Sequence, residues 1–212
     1  MSIRRLYLRS RKYLLQHGLK SSIVRLWQAT QNLIFYNRDI IFCRDLIRGE
    51  LKGFAMPENF RIEKTEKGSD AAEELLKRIA EDYPKVLLQE NFQKRFDMGA
   101  SLWCLKHDTE YAGYVWILTG RTPRPWYLPL LGHDVYLFDA LAFPKFRRRG
   151  LTPIMLHHIL KYYKSEGFQR AYLETKEWNI IIIKLMLKSE FARIGLAKRR
   201  FGRVTYKVTW YY

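Results

Sequence analysis

The sequence predicts an α/β protein, a sheet flanked by helices behind a basic helical extension, and three observations carry that expectation. Between Val135 and Leu187 the pattern alternates strand, helix, strand, helix. On both sides of this region, short runs of alternating or continuous apolar residues flank polar turns, as hairpin strands do. Before residue 58, two apolar stripes recur at helical spacing with basic residues opposite them. A chain of 212 residues, 48% of them hydrophobic, has the material for one packed domain plus an extension. The division expected is residues 1–57 for the extension and 58–212 for the domain.

The elements follow in order. In the extension, Ile3, Leu6, Tyr7 and Leu14 form one stripe; after the break at Gly18, Ile23, Leu26, Trp27, Thr30 and Ile34 form another. Ile40 to Cys43 reads as an added strand, and Met56-Pro57 closes the segment. Phe60 to Thr65 reads as the domain's first strand. Ser69 or Asp70 starts a helix to about Glu81, and Pro84 to Phe96 reads as another. Ser101 to Leu105 and Tyr111 to Ile117 are strands around the polar turn His107-Asp108-Thr109-Glu110. Val135 to Ala142 is a further strand. Ala171 to Thr175 is the next, followed by a helix from Asn179 through Leu187. Ile194 to Lys198 and Val204 to Trp210 close the chain as a hairpin through Phe201-Gly202, with Val204, Tyr206, Val208 and Trp210 on one face.

The segment Leu141-Ala142-Phe143-Pro144-Lys145-Phe146-Arg147-Arg148-Arg149-Gly150-Leu151-Thr152-Pro153 says most about function. An apolar strand stops at Pro144, and a basic turn with one glycine follows. Thr152 is a good N-cap and Pro153 suits the first helical position, so a helix is expected to open there. Its stripe would be Leu151, Ile154, Met155, Ile159, Tyr162 and Tyr163, ending at Gly167. Amides of residues 148 to 152 then lack helical partners and can converge on an anion, helped by the positive end of the helix dipole. The turn reads as a phosphate seat, against the plainer reading of a solvated basic loop.

These residues resemble the signature of the GCN5-related N-acetyltransferase (GNAT) family, Gln/Arg-x-x-Gly-x-Gly/Ala after a strand. Arg147, Gly150 and Thr152 fill its three positions, Thr152 departing from the usual small residue. The resemblance spans about residues 58–212 and implies a mixed, mostly antiparallel sheet flanked by helices. It also implies acyl-coenzyme A, in the common case acetyl-coenzyme A, as co-substrate. Leu141, Ala142, Phe143, Arg147, Arg148, Arg149, Gly150, Leu151, Thr152 and Asn179 are the residues it assigns to that molecule. The family often carries a tyrosine acid seven residues after the asparagine; here that position is Met186, which cannot donate a proton.

The implied reaction is attack of an amine on a thioester, which calls for a base, an oxyanion donor and a proton for the thiolate. Asp139 and Glu174 lie on the two strands that splay apart in this fold, so each is a candidate base; the alternative for both is pairing with an arginine. Tyr172 can replace the missing acid only if its ring points into the cleft. The loop Thr119 to Asp134, stiffened by Pro123, Pro125 and Pro129 and bearing Trp126 and Tyr127, either lines the acceptor site or covers the core.

Charge and cysteine usage bound the partners. Lys and Arg number 38 against 21 acidic residues, a net charge of +17. Arg4, Arg5, Arg9, Arg11, Lys12, Lys20 and Arg25 precede the first acidic residue, Asp39; Lys198, Arg199, Arg200 and Arg203 cluster near the end. Such an excess fits an anionic acceptor or surface. The extension's stripes either pack on the domain, lie on an anionic membrane or contact nucleic acid, nucleic acid being the least favoured. No run of 18 apolar residues spans a membrane. Cys43 and Cys104 are isolated, and the pair His157-His158 has no ligand partners in sequence, so neither a disulfide scaffold nor a metal is expected. Reduced cysteines without a secretory signal predict a cytoplasmic protein, with peripheral contact at the inner membrane surface tied to the stripes. The expected function is N-acylation of a small-molecule amine on an anionic acceptor such as a sugar or envelope precursor. The alternative is a noncatalytic protein of the same fold acting on membrane or RNA.

Overall fold

The computed structural model describes residues 23, 27, 37–48, 51, 54–82, 92–122, 127–199 and 206–211. Among them, eight strands form one sheet: β1 (Asn37–Asp45), β2 (Phe60–Thr65), β3 (Ser101–His107), β4 (Glu110–Thr119), β5 (Asp134–Ala142), β6 (Arg170–Lys176), β7 (Ala192–Arg199) and β8 (Tyr206–Trp210). Their spatial order is β2-β3-β4-β5-β6-β1-β7-β8. Every neighbouring pair is antiparallel except β5 and β6. The helices are α1 (Asp70–Asp82), α2 (Leu151–Ser165) and α3 (Ile180–Lys188), with 92–97 also helical. The two N-terminal stripes, 84–91 of the second expected helix, Pro123 to Trp126 and the turn Phe201-Gly202 lie outside the described residues; within the stripes only Ile23 and Trp27 are described, both exposed.

The mixed, mostly antiparallel sheet agrees with expectation, but its middle does not. The strand foreseen at Ile40 to Cys43 is longer and lies between β6 and β7, paired with both. Residues 37–45 are therefore part of the sheet, and position 57 is no boundary between the sheet and what precedes it. The physical reason is burial: Ile40, Ile41, Phe42 and Leu46 are all core residues. Arg44 fastens the strand to the end of α3, donating to the Ser189 carbonyl at 2.7 Å and pairing with Glu190 at 2.5 Å.

The two faces of the sheet are covered differently. In the β3–β4 ladder Trp103 is opposite Val115 and Leu102 opposite Trp116, so the two tryptophans point to opposite faces. Trp103 meets α2, its indole N–H donating to the Tyr163 hydroxyl at 3.3 Å. Trp116 meets Phe92 and Phe96 of the 92–97 segment, ring centroids 4.9 Å away in each case. On this second face α1 is tied in by the Tyr111 hydroxyl, which donates to the Ala71 carbonyl at 3.0 Å. Ser69 caps α1, its hydroxyl accepting from the Ala72 amide at 3.2 Å.

Helix α2 starts earlier than its sequence suggests. Gly150, not Thr152, is the N-cap, with φ +70°, and Pro153 is the third helical residue. Burial decides the start: Leu151, Met155 and Ile159 follow one another at i, i+4, i+8 on the buried face, each contributing about 1.5–3 kcal/mol. Proline is tolerated in the first turn because its missing N–H would have had no helical partner. At the other end Gly167 (φ +84°) follows the cap residue. The amides of Gly167 and Phe168 bond back to Lys164 at 3.1 Å and Tyr163 at 3.0 Å, the Schellman pattern.

Two local features shape the sheet's centre. The parallel β5–β6 ladder runs only from Asp134–Arg170 to Leu137–Leu173. Beyond it, β5 carries an extra residue relative to β4, because Trp116 pairs with Phe138 but Tyr114 with Leu141. Gly113 crosses close to this bulge: a Cβ there would lie 2.6 Å from the Leu141 carbonyl oxygen. Gly113→Ala is expected to lower stability by about 1–3 kcal/mol through overpacking against backbone, measured by urea denaturation; an unchanged midpoint would mean the bulge moves at no cost.

Candidate functional site

The site is the gap opened where β5 and β6 part, together with the basic turn beyond it. Along β5 burial falls from complete at Asp134 to Leu137 to exposed at Asp139 and Ala140. The Phe143 amide donates to the Ala112 carbonyl at 2.9 Å, so Phe143 is spent on the β4 ladder. By the alternation of an antiparallel pair, Leu141 also faces β4, whereas the backbone groups of Ala140 and Ala142 face the gap. Phe143 is fully buried beneath the Arg78 guanidinium, 4.7 Å from its ring centroid. Of the three strand-end residues assigned to the coenzyme, Ala142 offers main-chain groups to the gap, and Leu141 and Phe143 support it from the other edge.

The turn is built on one anchor. Phe146 is buried and meets Phe60 and His107, while Arg147, Arg148, Arg149 and Gly150 are exposed. Arg148 and Gly150 both have positive φ, +64° and +70°, so successive amides turn inward rather than alternating. Amides of Gly150, Leu151 and Thr152 occupy the first turn of α2, where no helical acceptor exists. Arg147 folds back, its Nε donating to the Ala142 carbonyl at 3.1 Å. No described carboxylate lies within ion-pair distance of Arg147, Arg148 or Arg149. Three guanidinium groups and the amides at the α2 start therefore present a positively charged surface beside the gap. Asn179 caps α3, its side chain accepting from the Ile182 amide at 3.5 Å.

The three candidate catalytic residues separate clearly. Asp139 pairs with Arg95 and has φ +48° at the bulge, so the arginine-paired reading holds for it. Tyr172 is 3% exposed, and its hydroxyl hydrogen-bonds to the Cys43 thiol on β1. Burial first, and then the neighbouring Cys43, push its pKa well above the ordinary tyrosine value. It holds its proton inside the core and does not present it to the gap. Glu174 is half-buried at the first β6 position beyond the parallel ladder. Met186 is buried in the core.

The face that carries Glu174 includes residues the sequence reading did not single out. In the β1–β6 register Asp39 is opposite Lys176, Ile41 opposite Glu174 and Cys43 opposite Tyr172. Asp39 is buried; it accepts from the Tyr127 hydroxyl at 2.6 Å and pairs with Lys176 at 2.5 Å. Tyr127 and Leu128 thus pack against the core at the end of that loop, as the core-covering reading expects. Asp39 was legible only as an acid opening a buried strand, and Arg95 only as one of many arginines. His157 is buried, and a ring nitrogen of His158 lies 3.0 Å from the Phe54 carbonyl.

A sheet whose single parallel pair splays beside a basic helix start is the architecture of an acetyltransferase. The sequence profile of the Acetyltransferase (GNAT) family matches residues 69–191, and the chain belongs to that family. Solved structures with the same fold include a GNAT-family acetyltransferase from Colwellia psychrerythraea, at 13% identity and a TM-score of 0.55, covering 79% of this chain and 58% of that one. A GCN5-related N-acetyltransferase from Sphaerobacter thermophilus has 12% identity and a TM-score of 0.54, covering 85% and 56%. A tandem GNAT protein from the clavulanic acid biosynthesis pathway has 14% identity and a TM-score of 0.53, covering 80% and 55%. The chain spans a little over half the length of these three. No curated protein sequence is significantly similar to it.

Two measurements follow from this geometry. Coenzyme A at a hundredfold over its dissociation constant is expected to add about 2.7 kcal/mol, a melting shift of roughly 5–10 °C for a chain of this size. Gly150→Val should abolish the shift, because a β-branched residue resists φ +70°; no shift in the unaltered protein at millimolar coenzyme A would remove the phosphate seat. The second concerns the core thiols. Burial pushes Cys43 and Cys104 from 9.0 up to about 11. Their contribution to stability is complete below pH 9 and is lost as pH rises from 9 towards 11, because the unfolded thiols ionise first. The urea midpoint should fall between pH 8 and 10, and less so in the Cys43→Ala/Cys104→Ala variant.

Proposed function

We propose that the protein transfers an acyl group from acyl-coenzyme A, in the first instance acetyl-coenzyme A, to an amine carried by a small anionic acceptor. The single observation that carries this reading is the juxtaposition of the exposed Arg147 to Gly150 turn with the gap between β5 and β6. The turn suits the pyrophosphate of coenzyme A, and the Ala140 and Ala142 edge suits its amide-bearing arm. In the transfer, the amine nitrogen bonds to the thioester carbon, the carbon–sulfur bond breaks, the amine loses a proton and the thiolate gains one. Glu174, at the mouth of the gap, is the residue we assign to accept the amine proton, directly or through water.

Anionic acceptors, such as a phosphorylated amino sugar or an envelope precursor, are favoured by the net charge of +17. Field focusing by like charges around a cleft raises the encounter rate of an anion and is screened by salt. Acceptors are screened by coenzyme A thiol release from acetyl-coenzyme A, comparing phosphorylated with neutral amino sugars. The anionic amine is expected to be preferred at low salt, and the preference to shrink as salt rises. Glu174→Gln should lower kcat about a hundredfold or more while the coenzyme A melting shift stays. Full activity in that variant would take Glu174 out of the mechanism. Coenzyme A binding without thiol release to any amine would favour the noncatalytic alternative.

A further inference from the structure

We propose that Arg95 and Asp139 form a lock on the β5 bulge, so that Asp139 is a positioning residue for acyl transfer. The inference rests on the acyltransfer reading above for its kinetic part. Asp139 is a non-glycine residue at φ +48°, a conformation that costs energy and persists only where neighbours hold it. It stands where β5 gains its extra residue, between Phe138, opposite Trp116, and Leu141, opposite Tyr114. Left alone it would be loosely held, since its side chain is 57% exposed.

Arg95 supplies the constraint. Its side chain is only 19% exposed and reaches Asp139 from the 92–97 segment, 44 residues away in sequence. The guanidinium lies over three rings: Trp116 at 5.2 Å, Phe138 at 5.6 Å and Phe92 at 5.9 Å to the centroids. A planar guanidinium can stack on such surfaces and still present N–H donors to a carboxylate. Two of those rings flank the bulge on β4 and β5, and the third belongs to the segment that carries Arg95. The arginine is therefore fixed to both sides of what it locks.

The lock matters because of what the bulge aims. Ala140 and Ala142 turn their main-chain groups into the gap, and a bulge re-aims such groups along its strand. A donor directed at a developing oxyanion acts only if held before the charge develops. Loosening the bulge should therefore lower turnover while leaving coenzyme binding, which rests on the Gly150 turn, largely intact. Asp139 contributes here through its φ and its ion pair, with no proton transferred.

The test combines hydrogen exchange at the β4-facing amides of Leu141 and Phe143 with kinetics, using the full chain. Arg95→Gln is expected to speed exchange at these amides at least tenfold and lower kcat at least tenfold, with the coenzyme A dissociation constant within twofold. Arg95→Lys keeps the charge without the stacking fork and should fall between, which guards against a merely unfolded Arg95→Gln. In an Asp139→Gly background, where glycine adopts φ +48° at little cost, Arg95→Gln should lower kcat less than it does beside Asp139. Unchanged exchange and kcat in Arg95→Gln would overturn the lock. So would loss of the acid limb of the pH–rate profile in Asp139→Asn, which would make Asp139 a base. If the unaltered protein releases no thiol, the acyltransfer reading falls, and the exchange measurement alone still supports or overturns the lock.

Discussion

The structure depends on a parallel ladder that stops after four residue pairs. At its closed end Asp134 is buried and held by Arg170, 2.9 Å from Nε, and by the Leu131 amide at 2.8 Å. A buried carboxylate with several donors is tolerable; stripped of them it would be costly. This pairing clamps β5 to β6 at one end, and the bulge bends β5 away at the other. Everything exposed on β5 follows from that divergence: two neighbouring strands cannot share hydrogen bonds once their separation exceeds the usual 4.7–4.9 Å or so. The main-chain groups thereby left to the gap suit a ligand with a backbone-like arm, because amide groups seek partners of the same kind.

β1 closes what the splay would otherwise leave open on the far side of β6. Residues 39–41 pair with 174–176, so β6 keeps a complete ladder on one edge while its other edge faces the gap. The ion pair of Asp39 with Lys176, the Tyr127 hydroxyl on Asp39 and the bond from the Glu177 amide to the Arg38 carbonyl at 3.0 Å fix this end of β6. Glu174 is thus carried on a strand held from one side only. Glu174 is itself half-buried, and its backbone keeps the support of β1.

Local pattern made most strands and helices readable, and long-range pairing accounts for what it hid. The β4 and β6 runs and the α2 stripe at 151, 155 and 159 declare their period in a few residues. Ile40 to Cys43 declares a strand too, but nothing nearby says that its partners begin at residues 170 and 192. Likewise Thr152-Pro153 satisfies the local rules for a helix start, yet Leu151 gains more by joining the buried face, and the cap moves to Gly150. The exposed basic turn was legible because its residues are contiguous in sequence. Asp39, Lys176 and Arg95 were not, since each acts on a residue far away along the chain. Asp139 and Glu174 look alike as acids on diverging strands; Asp139 pairs with Arg95, which is stacked over Trp116 and comes from a segment 44 residues away.

The two positions considered for an acid, Tyr172 and the tyrosine position held by Met186, are both in the core. Tyr172 is 3% exposed beside the Cys43 thiol, and Met186 is 3% exposed with no proton to give. A tyrosine at 186 would have to be accommodated in a closed core, where added atoms cost about 1–3 kcal/mol. The chemistry makes this arrangement workable. A thiol ionises near pH 8.5 or so, far below an alcohol or amine, so its anion departs without full protonation in the transition state. The harder demand is the carbonyl oxygen, whose charge must develop against donors already in place. On the acyltransfer reading proposed above, the constraints at the bulge serve the carbonyl oxygen and the thiolate is left to water.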